Sequence, residues 1–198
     1  MDTFILIGIT GIGLGALYFL VASGLSLIYG LMGVLNFAHG SFLTVGAFVG
    51  YWIATQLGPD TTMTDFILAM IVGGLAAGLF ALLIEQLLIT RLYDRHIDQA
   101  LVTVGVSLVV GAVLGGWFGN DLIMFPTPLW FLTAVNVGGA MIPADRIVYI
   151  ATAVLLLIAN WALLKFTRIG LIIRAGVENR NMVNALGINV RRAFSTVF

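Results

Sequence analysis

Gly30-Leu31-Met32-Gly33-Val34-Leu35-Asn36-Phe37-Ala38-His39-Gly40-Ser41 interrupts an apolar stretch that holds no Asp, Glu, Lys or Arg from residue 3 to residue 59. One continuous helix of that length, at ~1.5 Å per residue, would reach roughly 85 Å, nearly three bilayer cores. Glycines at three positions, an asparagine, a histidine and a serine make the quoted segment a poor lipid-facing helix. It therefore divides the stretch into two spans, with helices expected at about 4–30 and 41–57 and a break near residues 30–41. Unwound backbone at membrane depth is tolerated only where it is buried in protein or lines a wet cavity. Two readings fit the break. In one, a broken helix lies beside a solute path, and Asn36, His39 and freed carbonyls offer hydrogen bonds. In the other, a short connection, placed even at the cytoplasmic surface, uses its Asn and His to satisfy neighbouring backbone groups.

The rest of the chain supports a membrane protein. Of 198 residues, 61% are hydrophobic and 9% charged, against ~45–50% and ~25% in a soluble domain. That composition excludes an ordinary soluble enzyme, a disordered tail and a nucleic-acid binder. Nine basic residues cancel nine acidic ones, so no global field draws in polyanions. With no Cys there is no disulfide, no thiolate nucleophile and no Cys-ligated metal. Further apolar runs cover Phe66–Ile84, continuing to Ile89 past Glu85, then Gln99–Gly119 and Ile147–Leu164, and Ala193–Phe198 begins another. The expected fold class is all-α: a polytopic helix bundle of five spans plus the start of a sixth. Residues 1–198 are read as a single transmembrane domain, with residues 168–192 as a cytoplasmic loop within it.

Orientation follows from the basic residues. The first is Arg91, so the amino terminus lacks the basic start of a secretory signal and is a retained span. Arg91 and Arg95 lie in one short loop. Lys165, Arg168, Arg174, Arg180, Arg191 and Arg192 lie in another, and Arg146 stands apart. The positive-inside rule makes both loops cytoplasmic. Residues 58–65, residues 120–146 and the amino terminus then face outward. All four prolines (Pro59, Pro126, Pro128 and Pro143) fall in those outer segments. Trp117, Phe125, Trp130 and Phe131 are expected in an interfacial aromatic belt.

Gly11/Gly15, Gly46/Gly50, Gly74/Gly78 and Gly111/Gly115 are each four apart in different spans, a spacing that lets helix backbones approach closely. The glycines from Gly8 to Gly15 do not form a dinucleotide loop, which needs a preceding strand and a helix in water. Thr103 and Ser107 share a helix face; their hydroxyls either line a path or merely bond the carbonyl four residues back. Glu85, the acidic residue inside a span, is expected to pair with a loop Arg near the interface, which leaves proton coupling weak. Arg174–Leu186 reads as a short helix with Ala175, Met182, Val183 and Leu186 partly on one side, stopped by Gly187. Such a helix either docks a soluble partner or lies on anionic lipid; Glu178, Asn179, Asn181 and Asn184 favour the protein groove. The one lysine, Lys165, has no glycine-rich approach, so there is no phosphate-binding loop. The sequence has no HExxH, no Gly-x-Ser-x-Gly and no paired carboxylates in a span, so an enzyme is not expected, and no metal or cofactor site is expected either.

Ser23-Gly-Leu-Ser-Leu-Ile-Tyr-Gly-Leu-Met-Gly-Val-Leu-Asn-Phe-Ala-His-Gly40, running into Ser41-Phe-Leu-Thr-Val-Gly-Ala-Phe48, resembles the permease subunits of bacterial branched-chain amino-acid ABC transporters of the LivH type. So do Ile84-Glu-Gln with Thr103-Val-Gly-Val-Ser-Leu108, and Arg174-Ala-Gly-Val-Glu-Asn-Arg-Asn-Met-Val-Asn-Ala-Leu-Gly-Ile-Asn189. The resemblance implies a pathway-forming subunit of the inner membrane that pairs with a second, related permease. It also implies two cytoplasmic ATPase subunits and a periplasmic solute-binding protein. Carried over by position, Asn36, Phe37, His39, Gly40 and Ser41, with Thr103 and Ser107, belong to the substrate pathway. Ala175, Glu178, Asn179, Met182, Leu186 and Gly187 belong to the coupling helix that docks the ATPase. Family members continue with further spans after this loop, so a chain ending at Phe198 is expected to lack the C-terminal ones. A same-family permease for urea or short amides fits the residues as well. A proton-coupled carrier would need more intramembrane carboxylates, and a structural scaffold would need neither the break nor the docking loop.

Overall fold

A computed structural model describes residues 2–33, 36–58, 62–92, 95–119 and 121–187. The apolar run Ala193–Phe198, and with it the expected start of a sixth span, lies outside them, as do Val34 and Leu35 within the break. Five long helices stand where the apolar runs predict them: α1 (Asp2–Met32), α2 (His39–Leu57), α3 (Met63–Leu87), α4 (His96–Phe118) and α5 (Ala144–Phe166). Four of them, α1, α3, α4 and α5, are long and apolar enough to cross a membrane. α2 has 19 residues, and His39, Tyr51 and Gln56 lower its apolar character. Large side chains such as Leu75, Leu79, Leu108 and Leu155 point outward and are more than half exposed, the surface a lipid-facing helix presents.

The described chain forms two compact units. In the first, α1 packs against α5 and a small hairpin. Strand β1 (Ala134–Val137) pairs antiparallel with β2 (Ala140–Pro143), in register Val135 to Ile142 and Val137 to Ala140. The described chain is mostly helical, as expected, and this hairpin is an addition to that expectation. The cause is local: Gly138 and Gly139 both have positive φ, 60° and 92°, which is what a two-residue turn matched to strand twist demands. Asn136 Oδ1 accepts the Gly139 N–H at 3.0 Å, and Ile142 and Ala140 are buried beneath the turn. Pro143 then leads directly into α5.

α5 ends in a sharp corner. Thr167 Oγ1 accepts the Gly170 N–H at 3.0 Å, capping α6 (Arg168–Glu178). A Cβ on Gly170 would collide with the carbonyls of Leu163 and Leu164. α6 buries Gly170, Ile173 and Gly176. A further short helix, α7 (Arg180–Ala185), follows. The single helix expected over Arg174–Leu186 is thus two pieces. Asn179 leaves helical geometry (φ −152°, ψ 90°), and its Oδ1 takes the Met182 N–H at 3.0 Å, a local bond that competes with helix continuation. Gly187, with φ +79°, stops the segment as expected.

In the second unit α2 and α3 make the closest approach. α3 begins on a capping box: Asp65 N–H donates to Thr62 Oγ1 at 3.3 Å, and Thr62 N–H donates to Asp65 Oδ2 at 3.0 Å. A Cβ placed on Gly46 would stand 2.9 Å from the Gly73 carbonyl oxygen, and one on Gly50 would stand 3.0 Å from that of Ala69. The partner stripe on α3 is therefore Ala69-Gly73-Ala77, small residues four apart. The expected Gly74/Gly78 pair faces away, and a Cβ on Gly11, Gly15, Gly74, Gly78 or Gly111 would meet nothing within 4 Å. One glycine pair of the four expected is thus seen to pack; Gly13, in the first unit, instead receives Arg146, 3.0 Å from an added Cβ. The reason is helical phase: one residue along α3 turns a side chain by about 100°.

Candidate functional site

The break in the first apolar stretch organises the polar interior of the second unit. α1 ends at Met32, Gly33 takes φ +66°, and the chain re-enters helix at His39. Asn36 makes the turn: its Oδ1 accepts the Ala38 N–H at 3.0 Å and its carbonyl accepts the His39 N–H at 3.3 Å. The side chains of Asn36, Ser41, Glu85, Gln99 and Thr103 are the buried polar or charged ones among the described residues, and all lie in this unit. Buried polar groups in a membrane-spanning bundle are costly and default to functional candidates.

Two rungs join the break to α4. Phe37 N–H donates to Thr103 Oγ1 at 3.2 Å, and Ser41 Oγ donates to Ser107 Oγ at 2.9 Å. Phe37 and Ser41 are four residues apart, as are Thr103 and Ser107, so the rungs run between matching faces. The Thr103 hydroxyl bonds both along its own helix and across to the neighbouring segment. It bonds back to the Gln99 carbonyl at 2.9 Å and the Ala100 carbonyl at 3.0 Å, and it still accepts from Phe37. Asn36, Phe37, Ser41, Thr103 and Ser107 are thereby brought together. His39 and Gly40 form the first turn of α2, His39 half-buried and Gly40 exposed; the Gly40 carbonyl accepts Thr44 Oγ1 at 2.8 Å. The Phe37 ring is 56% exposed, so its main chain, not its side chain, holds the network.

An apolar cavity of about 620 Å³ opens between α2, α3 and α4, lined by residues including Val45, Phe48, Trp52, Phe80, Val110 and Trp117. Val45 lies one turn beyond Ser41 and Val110 one turn beyond Ser107, so the cavity begins where the hydroxyl pair ends. The site pairs neutral hydrogen-bonding groups with an aliphatic and aromatic wall. Groups of three or more His, Cys, Asp or Glu that could hold a metal are absent among the described residues.

Glu85, fully buried, accepts the Thr90 hydroxyl on Oε1 at 3.2 Å, and the same hydroxyl reaches the Glu85 main-chain carbonyl at 2.8 Å. Gln99 was offered by the sequence only as the first residue of an apolar run, yet it is fully buried. Its position four residues before Thr103, on the same face of α4, was the available signal. Elsewhere, in the first unit, Glu178, Asn179, Met182, Leu186 and Gly187 are exposed, Ala175 is half-buried, and Val183 is turned inward. The side expected to group Ala175, Met182, Val183 and Leu186 is therefore divided, with Met182 and Leu186 outward.

The sequence profile of a family described as "Branched-chain amino acid transport system / permease component" matches residues 7–198. The chain is similar to the high-affinity branched-chain amino acid transport system permease protein LivH of Salmonella typhimurium, 26% identical over 196 residues, covering 95% of this chain and 63% of that protein. It is similar to BraD of Pseudomonas aeruginosa, of the same description, at 24% identity over 198 residues, covering 96% of this chain and 64% of BraD. A probable LivH from Methanocaldococcus jannaschii is 29% identical over 176 residues, 87% of this chain and 55% of that protein. The chain thus spans under two thirds of the length of these relatives. No solved structure matches it significantly.

Proposed function

The chain belongs to the family of branched-chain amino-acid transport permease components, and on that premise we propose that it is a pathway-forming subunit of an ABC importer for branched-chain amino acids. The observation that carries this reading is the pair of rungs, Phe37 to Thr103 and Ser41 to Ser107, set beside an apolar cavity among membrane-crossing helices. A solute with a polar head and a branched aliphatic side chain has complementary chemistry to each half. α2 is the fifth span, and residues 30–41 are the broken segment beside the path. Asn36, Phe37, His39, Gly40 and Ser41, with Thr103 and Ser107, line it.

The subunit sits in a bacterial inner membrane with its amino terminus outside, as the basic residues direct. It works with a second related permease, cytoplasmic ATPase subunits and a periplasmic solute-binding protein. Ala175, Glu178, Asn179, Met182, Leu186 and Gly187 dock the ATPase. The outward Met182 and Leu186 (63% and 69% exposed) give the groove an apolar anchor, and ATP-driven movement of the docked subunit shifts the bundle between outward-open and inward-open states. Uptake of labelled leucine by vesicles carrying the full complex, with unlabelled urea as competitor, tests the assignment. Leucine uptake that a large excess of urea leaves unchanged is expected; urea uptake in place of leucine would move the chain to the amide branch of the family. Replacing Glu178–Leu186 with a Gly/Ser linker is expected to abolish co-purification with the ATPase.

A further inference from the structure

Gln99 joins two parts of the second unit. Its side chain is 0% exposed, and Nε2 donates to the Leu92 carbonyl at 2.6 Å. That carbonyl belongs to the last residue of the 3-10 turn Ile89–Leu92 and also accepts the Arg95 N–H at 2.8 Å. The Gln99 main-chain carbonyl accepts Thr103 Oγ1 at 2.9 Å, and Thr103 Oγ1 in turn accepts the Phe37 N–H at 3.2 Å. One residue is thus bonded by its side chain to the turn before α4 and by its main chain to the hydroxyl that holds the break. Leu92 keeps a second donor, so removing the carboxamide would not leave that carbonyl unpaired. What would be lost is position.

We infer that Gln99 is a positioning residue: it fixes the 89–92 turn against α4 and so sets where Thr103 meets Phe37 in the broken segment. The inference rests on the reading of residues 36–41 as part of the path. In the proposed orientation the turn is cytoplasmic, so Gln99 ties a cytoplasmic corner to that segment. The amide orientation follows from chemistry, since only the NH2 side can donate to a carbonyl. Gln99 Oε1 is buried without a hydrogen-bond partner among the described residues, which leaves the Leu92 bond as the one that holds the side chain. The surrounding elements carry the charged or titratable residues Glu85 on α3, Arg91 in the turn, His39 on α2, and Arg95, His96 and Asp98 at the start of α4; Arg95 pairs with Asp98 at 3.7 Å.

The test uses hydrogen exchange of the full chain in lipid nanodiscs together with leucine uptake by the full complex. Wild type, Gln99→Leu and Gln99→Glu are compared at matched values between about pH 5 and pH 8, where a buried carboxyl titrates. Gln99→Leu is expected to speed exchange of the Phe37 amide about tenfold at every pH and to lower uptake with it. Gln99→Glu should behave like Gln99→Leu at the alkaline end. On acidification its protonated carboxyl regains an O–H donor for Leu92, and protection should return to the wild-type value at the same pH. A general packing defect would show no such acid recovery. Unchanged Phe37 protection in Gln99→Leu, or no recovery in Gln99→Glu, overturns the inference, and so does lost uptake with protection intact. Lost protection with uptake intact keeps the positioning role and overturns the path reading. Should Gln99→Leu fail to assemble, the acid recovery of Gln99→Glu decides alone.

Discussion

Gly73→Ala should lower stability and Gly74→Ala should not, although the two positions are adjacent and chemically identical. A Cβ on Gly73 would stand 2.5 Å from the Gly46 carbonyl oxygen and 3.3 Å from the Gly50 N and Cα, whereas ordinary contact begins at 3.4 Å. The difference between 3.4 and 2.5 Å means that α2 and α3 must part by about 0.9 Å locally. The obstacle is backbone, which cannot rotate aside. Overpacking of this kind costs about 1–3 kcal/mol, of which the better helix propensity of Ala returns up to ~1 kcal/mol. A Cβ on Gly74 meets nothing within 4 Å, so that variant keeps the propensity gain of up to ~1 kcal/mol. Thermal unfolding in detergent, followed by tryptophan fluorescence, should give a lower midpoint for Gly73→Ala and an equal or higher one for Gly74→Ala. Equal shifts, or a larger loss at Gly74, would refute the packing face assigned to α3.

Thr103→Val keeps the shape but leaves the Phe37 N–H without its acceptor, so it should destabilise by about 1–3 kcal/mol and reduce uptake, while Thr103→Ser stays near wild type in both. Asn179→Ala removes the cap of α7 and should cost that helix about 1 kcal/mol, read as faster amide exchange at Met182 with no change at Phe37. Gly138→Val places a β-branched residue at φ +60° and should destabilise the hairpin by roughly 1–2 kcal/mol, seen as faster exchange at Val137 and Ala140.

The long helices were legible because absent charge is a strong signal: each apolar run among the described residues became a helix within a few residues of its expected ends. Asn36, Ser41, Thr103 and Ser107 were legible for the complementary reason, since a polar residue in an apolar run needs a partner. Four features were not. Gly-Gly at 138–139 resembles any loop until its φ values are known, and strands of four residues carry little periodicity. The phase of α3 could not be read because Gly73 and Gly74 are both glycine, and only the flanking Ala69 and Ala77 distinguish their faces. Asn179 was read as part of a helix because its side chain bond to Met182 is local and competes with the helix on nearly equal terms. Gln99 went unnoticed at the edge of a span, where a polar residue ordinarily faces water.

In the proposed function, ATP hydrolysis by a docked partner drives solute through this subunit. That coupling is tested most directly by leucine uptake into vesicles of the full complex, supplied either with ATP and no proton gradient or with a proton gradient and no ATP. Uptake is expected in the first condition alone, and is lost when Glu178–Leu186 is replaced by a Gly/Ser linker. Uptake sustained by the gradient without ATP would contradict that coupling.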